Sequence, residues 1–290
     1  MKKTYIFAGI SIFFWSTVAT VSKLLLGDLT SFQVLSVSAL FGGMFLLIVN
    51  IVTGNIKQLK KYTVMDYLTT ALIGLPGTFF YYVFYYTGTS LMPASQAFII
   101  NYLWPIMSVV FACIILREKM TVRKGIAFAL SFCGVLIVTG KELLHFNANI
   151  LSGAVCCALG AVSYGIFTAL NQKFKYDKKL SMMIYYFISF LLTGVINFAS
   201  GSTMQLDGIR ILGLAYNGMC CLAIANTCWM LALASGNTAK VSNLAYITPF
   251  LSLVWTAVFL KEHITVNSVV GLAVIVLGIL IQLKDKGKKA

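Results

Sequence analysis

Uncharged, mostly apolar runs alternate with short charged segments along the whole chain. The runs are Thr4–Ser22, Leu29–Ile56, Tyr67–Met92, Pro93–Leu116, Gly125–Gly140, Phe146–Gln172, Leu180–Leu206, Ile211–Ala239, Val241–Leu260 and Ile264–Leu283. About 20 apolar residues in a helix span the hydrocarbon of a bilayer. The pattern therefore predicts an all-α integral membrane protein with ten transmembrane helices. The fifth run is short, and Arg123 and Lys124 at its start are expected to snorkel. Two junctions carry no charge and are marked only by turn residues: Gly88 to Pro93, and Ser235-Gly236-Asn237-Thr238.

Composition agrees with the pattern. Of 290 residues, 59% are hydrophobic and 10% charged, against roughly 25% charged in a soluble domain. The net charge of +14 would suit nucleic acid if it formed a continuous face. Here it is split into clusters between apolar runs, so no nucleic-acid partner is expected, and the basic residues read as an orientation signal facing anionic membrane lipids. With the N-terminus cytoplasmic, the inside segments hold 18 of the 22 Lys and Arg residues, leaving only Lys23, Lys141, Arg210 and Lys261 outside. That bias places both termini in the cytoplasm of a multi-pass plasma-membrane protein. Lys2 and Lys3 precede a run long enough to span, which predicts a retained helix and not a cleaved signal.

The chain repeats itself. Tyr102, Pro105, Ser108, Leu116, Glu118, Thr121 and Val122 match Tyr246, Pro249, Ser252, Leu260, Glu262, Thr265 and Val266, each 144 residues later, and Gly134 and Gly278 continue the register. Five runs separate equivalent points, and an odd number reverses the direction of crossing. The expected organisation is two inverted five-helix repeats, residues 1–141 and 146–290, the second ending in a basic tail. The segment at Arg117–Lys124 is strongly basic and its counterpart at Lys261–Thr265 is not, as inversion requires.

Inverted repeats suggest alternating access to a site near the bilayer midplane. The helices that would line it carry polar side chains: Trp15, Ser16, Thr17 and Thr20; Thr78, Tyr81, Tyr82, Tyr85 and Tyr86; Ser95, Gln96, Asn101, Tyr102 and Trp104; Ser163, Tyr164, Thr168 and Asn171; Asn217, Asn226, Thr227 and Trp229; Ser242, Asn243, Tyr246 and Thr248. The same residue types also form interfacial belts and interhelical hydrogen bonds, and Tyr85 and Tyr86 near an outer end fit a belt. The substrate-binding set selected from these is Trp15, Ser16, Tyr81, Asn101, Tyr102, Trp104, Tyr164, Asn226, Trp229 and Tyr246. Asn101, Tyr102 and Asn226 lie deepest in their runs, where a lipid-facing polar group is costly. Pro105 and Pro249 occupy twin positions inside helices, each freeing a carbonyl four residues back, at Asn101 and Ala245. Pro76 marks a third bend. Glu118 and Glu262 are expected to cap the next helix, three residues ahead of Thr121 and Thr265, or to pair with Arg117 or Lys119.

An enzymatic reading finds no support. His145 and His263 are the only histidines and both fall between runs, and no metalloprotease motif or intramembrane carboxylate pair occurs. The seven cysteines lie in apolar runs without metal or redox spacing. No catalytic residue, metal or cofactor is expected.

The paired ending "Pro, apolar stretch, Leu-x-Glu", from Pro105 to Glu118 and from Pro249 to Glu262, resembles the drug/metabolite transporter superfamily, EamA type, over nearly the whole chain. Trp15-Ser16-Thr17, Asn101-Tyr102-Leu103-Trp104-Pro105, Trp229 with Gly236-Asn237, and Tyr246 with Thr248-Pro249 are similar to its aromatic amino acid and paraquat exporter branch. The Tyr-rich third run and Asn226 depart from that branch. The resemblance implies a central cavity lined by the first, third, fourth, sixth, eighth and ninth helices.

The expected function is secondary transport of amino acids or similar small polar metabolites, outwards. One alternative is a carrier of organic cations held by ring faces. Another is a channel or lipid-translocating protein. All eight acidic residues lie in loops or at helix ends, which predicts a facilitator or exchanger and not a proton-driven carrier.

Overall fold

The computed structural model describes residues 2–144, 147–174, 176–235 and 244–283. His145, the Gly236-Asn237-Thr238 part of the second turn, Lys240, Ser242, Asn243 and the basic tail fall outside the described residues. Those described are helical, with no strand among them. Eight helices are long and apolar enough to cross a membrane, and two shorter apolar helices cover Ala245–Phe259 and Val266–Ile281.

The helices, numbered in chain order, begin with α1 (Lys2–Leu25), α2 (Ser31–Val52) and α3 (Val64–Gly74). A π-helical stretch over Leu75–Phe80 leads into α4 (Tyr81–Leu91), α5 (Ala94–Asn101), α6 (Trp104–Ile115) and α7 (Val122–Leu144). Then come α8 (Ala148–Lys173), α9 (Lys178–Ala199) and α10 (Gly208–Ala215). A second π stretch, Tyr216–Ile224, leads into α11 (Ala225–Ser235), and a short 3₁₀ turn, Ala245–Ile247, precedes α12 (Thr248–Phe259) and α13 (Val266–Leu283).

Local chemistry explains the starts. Thr30 with Gln33, and Thr63 with Asp66, form capping boxes at α2 and α3. Asp177 and Asp207 accept backbone N–H groups at the starts of α9 and α10, where a carboxylate also meets the positive end of the helix dipole. Three of the eight acidic residues thus serve as helix caps.

The 144-residue register reappears in the backbone. Arg117 and Lys261 are the non-glycine residues with positive φ among those described, at 58° and 55°. Glu118 N–H reaches Ala112 O and Glu262 N–H reaches Thr256 O, both at 3.4 Å. This is the same C-terminal cap built twice. The second π stretch covers the counterparts of the first. Cys220 stands where the first has Pro76, so the bend expected at Pro76 is a π segment that does not need the proline. Pro105 and Pro249 do not kink continuous helices. Each sits in the first turn of a new one, α6 and α12, where its missing N–H costs nothing.

Packing follows the same 144-residue register. α7 packs on α13 and α2 on α9. The α4–α8 contact is matched by α1–α11, and α6–α8 by α1–α12. Small residues allow the close approaches. A Cβ on Gly134 would lie 2.7 Å from Gly271 O, and one on Gly278 would lie 2.8 Å from Ala127 O. The outer surface is apolar, with Val52, Val122, Phe198 and Ile209 among its most exposed side chains, as lipid contact requires.

Candidate functional site

The π segments position the site. One turns α4 so that Tyr81, Tyr82 and Tyr85 face inwards, and the other turns α11 so that Asn226 does. With Trp15 and Val18 of α1, Phe98 and Asn101 of α5, Tyr102, Trp104, Tyr164 of α8, Ala245 and Thr248, they enclose a cavity of about 60 Å³. The walls are mainly rings. Tyr81 and Tyr164 lie 4.8 Å apart between centroids, Trp104 and Tyr164 5.3 Å, and Tyr81 stacks on Tyr85 at 6.1 Å. Edge and offset ring contacts hold such a wall in one geometry.

Polar groups punctuate it. Asn101 Nδ2 donates to Tyr81 Oη at 2.9 Å, while Asn101 Oδ1 is buried without a hydrogen-bond partner. Thr248 Oγ1 on α12 and Tyr85 Oη on α4 are also buried and unpartnered. Buried polar atoms are almost always paired, so three unpaired ones on a cavity wall mark places where a bound molecule can complete the bonding. Asn226 Nδ2 donates to Leu222 O at 2.5 Å and to Tyr186 Oη at 3.4 Å. Tyr102 Oη donates to Ala245 O at 2.6 Å. Among the described residues, no Asp, Glu, Lys, Arg or His lines this cavity.

Below it lies a second cavity of about 240 Å³, sharing Tyr102, Trp104 and Ala245 and adding Pro105, Ser108, Thr168, Gln172, Trp229, Tyr246 and Ile279. Gln172 is next to the end of α8, beside Lys173, Lys178 and Lys179. This cavity therefore leads from the first one towards the basic face of the protein.

Seven of the ten expected substrate residues line the first cavity: Trp15, Tyr81, Asn101, Tyr102, Trp104, Tyr164 and Asn226. Trp229 and Tyr246 line the second, and the Trp229 ring lies 5.3 Å from that of Trp15, tilted by 56°. Ser16 faces elsewhere. It is fully buried, donates to Phe13 O at 2.7 Å and accepts from Trp255 Nε1 at 2.9 Å, which ties α1 to α12. Tyr85 and Tyr86 are not belt residues, because both are fully buried. Tyr86 Oη accepts from Asn217 Nδ2 at 2.8 Å, and the same amide bonds Ser38 at 3.0 Å, so Asn217 serves packing. Val18, Phe98 and Ala245 were not signalled by residue type, since apolar side chains on apolar helices look alike in sequence.

Glu118 and Glu262 also differ from expectation. Neither caps the helix that follows it. Glu118 pairs with Lys124 at 3.1 Å. Glu262 accepts Ala94 N–H at 2.7 Å and Ser95 N–H at 2.9 Å, 168 and 167 residues away in sequence.

Known proteins give a consistent picture. A solved crystal structure matches 96% of this chain over 96% of its own, with a TM-score of 0.70 at 19% identity, which shows the fold. The uncharacterized transporter YvbV of Bacillus subtilis is 27% identical over 294 residues, covering 99% of this chain and 94% of YvbV. The aromatic amino acid exporter YddG of Ancylobacter novellus is 20% identical, covering 83% of each chain. An S-adenosylmethionine uptake transporter of Rickettsia prowazekii is 24% identical over 34% of this chain and 32% of its own. The sequence model of the EamA-like transporter family matches residues 2–140 and 151–283, and with nearly the whole length accounted for, the chain belongs to that family.

Proposed function

We propose that this multi-pass plasma-membrane transporter moves amino acids or similar small polar metabolites by alternating access, in the direction of export, as a facilitator or exchanger. It is a transporter and not an enzyme. The proposed organisation is ten spans in two inverted repeats, residues 1–141 and 146–290, with both termini cytoplasmic. The twin caps at Arg117 and Lys261 support it. So does the position of Glu262 at the start of α5, whereas its counterpart Glu118 follows the end of α6. Those two points are separated by a helix pair of about 22 residues, roughly 33 Å at 1.5 Å per residue.

The observation that carries the cargo assignment is the aromatic cavity, with no charged side chain among its described lining residues and with Tyr85 Oη, Asn101 Oδ1 and Thr248 Oγ1 unpartnered. The amide oxygen accepts and the hydroxyls donate or accept. The rings offer apolar faces, and no fixed charge demands a counter-ion. A neutral or zwitterionic molecule with an ammonium or amide donor fits this set. The exporter name of the Ancylobacter relative agrees in cargo class and direction.

The ring wall favours one further reading, an organic cation held over ring faces at about 0.5–2 kcal/mol per contact. Thermal unfolding of purified protein with amino acids, nucleosides and quaternary amines separates the two. A ligand at 100 times its dissociation constant adds about 2.7 kcal/mol. Stabilisation by amino acids alone is the expected result. Stabilisation by quaternary amines alone would replace the proposal with the second reading.

A further inference from the structure

The second cavity leads towards the basic face, so the proposed cycle needs a closure at the opposite ends of the helices. The turn between α4 and α5, at Met92 and Pro93, lies at those ends. It is gripped from two directions. Lys23 of α1 donates to the carbonyls of Thr89 at 2.7 Å, Ser90 at 3.4 Å and Met92 at 2.8 Å, at the negative end of α4. Glu262 places both carboxylate oxygens on the N–H groups of Ala94 and Ser95, at the positive end of α5. Glu262 comes from the other half of the chain, in the segment between α12 and α13. Hydrogen bonds to a charged acceptor are roughly twice as strong as neutral ones. The Glu262 side chain is also partly accessible, so water can replace its partners when the turn moves away.

Its twin supplies the contrast. Glu118 follows an identical cap, yet its carboxylate is 51% exposed and pairs with Lys124 inside its own half. Two equivalent carboxylates therefore make different contacts, one between the halves and one within a half.

We propose that Glu262 is the latch of the outer gate: its carboxylate holds the start of α5 against the second half while the cavity faces the basic side, and its release lets the cavity open outwards. The proposal rests on the transport cavity and orientation argued above. In each cycle the contact forms as the outer side closes and breaks as it opens, so the latch sets the balance between the two states and does not itself touch cargo.

The test uses the full chain with its seven native cysteines replaced and Val18→Cys as a reporter in the cavity wall. A membrane-impermeant thiol reagent is applied to right-side-out and inside-out vesicles. In the parent the reporter is expected to react from the cytoplasmic side. Adding Glu262→Gln should raise reaction from outside about tenfold, a shift of 1.4 kcal/mol, with a matching fall from inside. Glu262→Asp, which keeps the charge but shortens the reach, should give an intermediate rise, and it preserves the test if the Gln variant fails to fold. Glu118→Gln should not raise outside labelling. Unchanged outside labelling in the folded Glu262 variants overturns the latch and leaves the cavity standing. A parent reporter that reacts from neither side removes the cavity, and the latch with it.

Discussion

Tyr102 Oη donates to the carbonyl of Ala245 at 2.6 Å, a bond that joins the two halves across the floor of the first cavity. The acceptor is available because Pro249, four residues on, has no N–H to offer it; the carbonyl keeps only a 3₁₀-type bond from Thr248 N–H. The twin pair would be Tyr246 with the carbonyl of Asn101. No such bond joins them in this conformation, where Tyr246 instead lines the second cavity. The proline pair thus prepares one acceptor in each half, and one of them is in use.

Tyr102→Phe removes only the hydroxyl. It should cost about 1–2 kcal/mol, because a buried bond is lost and its acceptor left short, seen as a fall of a few degrees in Tm. Tyr246→Phe should leave Tm nearly unchanged in the same detergent. Equal losses in the two variants would show that both bonds form together and that the asymmetry is not a property of the molecule in solution.

Asn101 is the residue whose removal should most affect flux. Its amide orients Tyr81 and leaves an unpartnered acceptor on the cavity wall. Asn101→Ala is expected to lower flux in proteoliposomes by about tenfold, the equivalent of one hydrogen bond of ~1.4 kcal/mol to cargo. The protein should stay monodisperse. Full flux in the variant would reassign the cavity to packing.

Helix packing makes a prediction that does not depend on cargo. α7 and α13 approach so closely that a methyl group on Gly134 would meet Ile275 Cγ1 at 2.5 Å and Gly271 O at 2.7 Å, and one on Gly278 would meet Ala127 O at 2.8 Å. Gly134→Ala and Gly278→Ala should each destabilise by about 1–3 kcal/mol through overpacking. Gly125, with no atom within 4 Å of such a methyl, should accept Ala at no cost. Neutral behaviour at all three would mean that α7 and α13 do not pack as described.

Orientation is checked by placing single cysteines at Lys119 and Lys261 in the cysteine-free chain. Lys119 is expected to react only from the cytoplasm and Lys261 only from outside. Reaction of both from one side would refute the inverted arrangement.

Much of this was legible in sequence, for reasons that particular residues make clear. The all-helical, membrane-spanning character is set by run length, and the 144-residue register that returns in the twin caps by residues with little freedom to drift together, such as Tyr102, Pro105 and Glu118 with their twins. Asn101 and Tyr102 stood out because polar groups deep in an apolar run need inward partners. Ser16 looked the same and was not at the cavity, because a hydroxyl can satisfy itself on its own helix and on Trp255. Which face of a helix a Ser occupies depends on local twist, and the π segments change that twist without a sequence mark, as Cys220 in place of Pro76 shows. Glu262 was read as a local cap because its true partners lie 168 and 167 residues away. No spacing rule reports a contact between a carboxylate and a distant helix start.

Coupling follows from where the charges are. Proton-driven carriers commonly use a buried carboxylate or His whose protonation alternates with cargo binding. Among the described residues, neither cavity is lined by one. Asp66, Asp177 and Asp207 are occupied as helix caps, and Asp28 pairs with Arg210 at 2.9 Å at the surface. Glu118 is held by Lys124 and Glu262 by two backbone N–H groups. The expected outcome is transport down the substrate gradient alone. In proteoliposomes with equal substrate on both sides, an imposed pH gradient should cause no net accumulation. Uphill accumulation under that gradient would overturn the facilitator assignment and make Glu262 and Glu118 the first positions to neutralise.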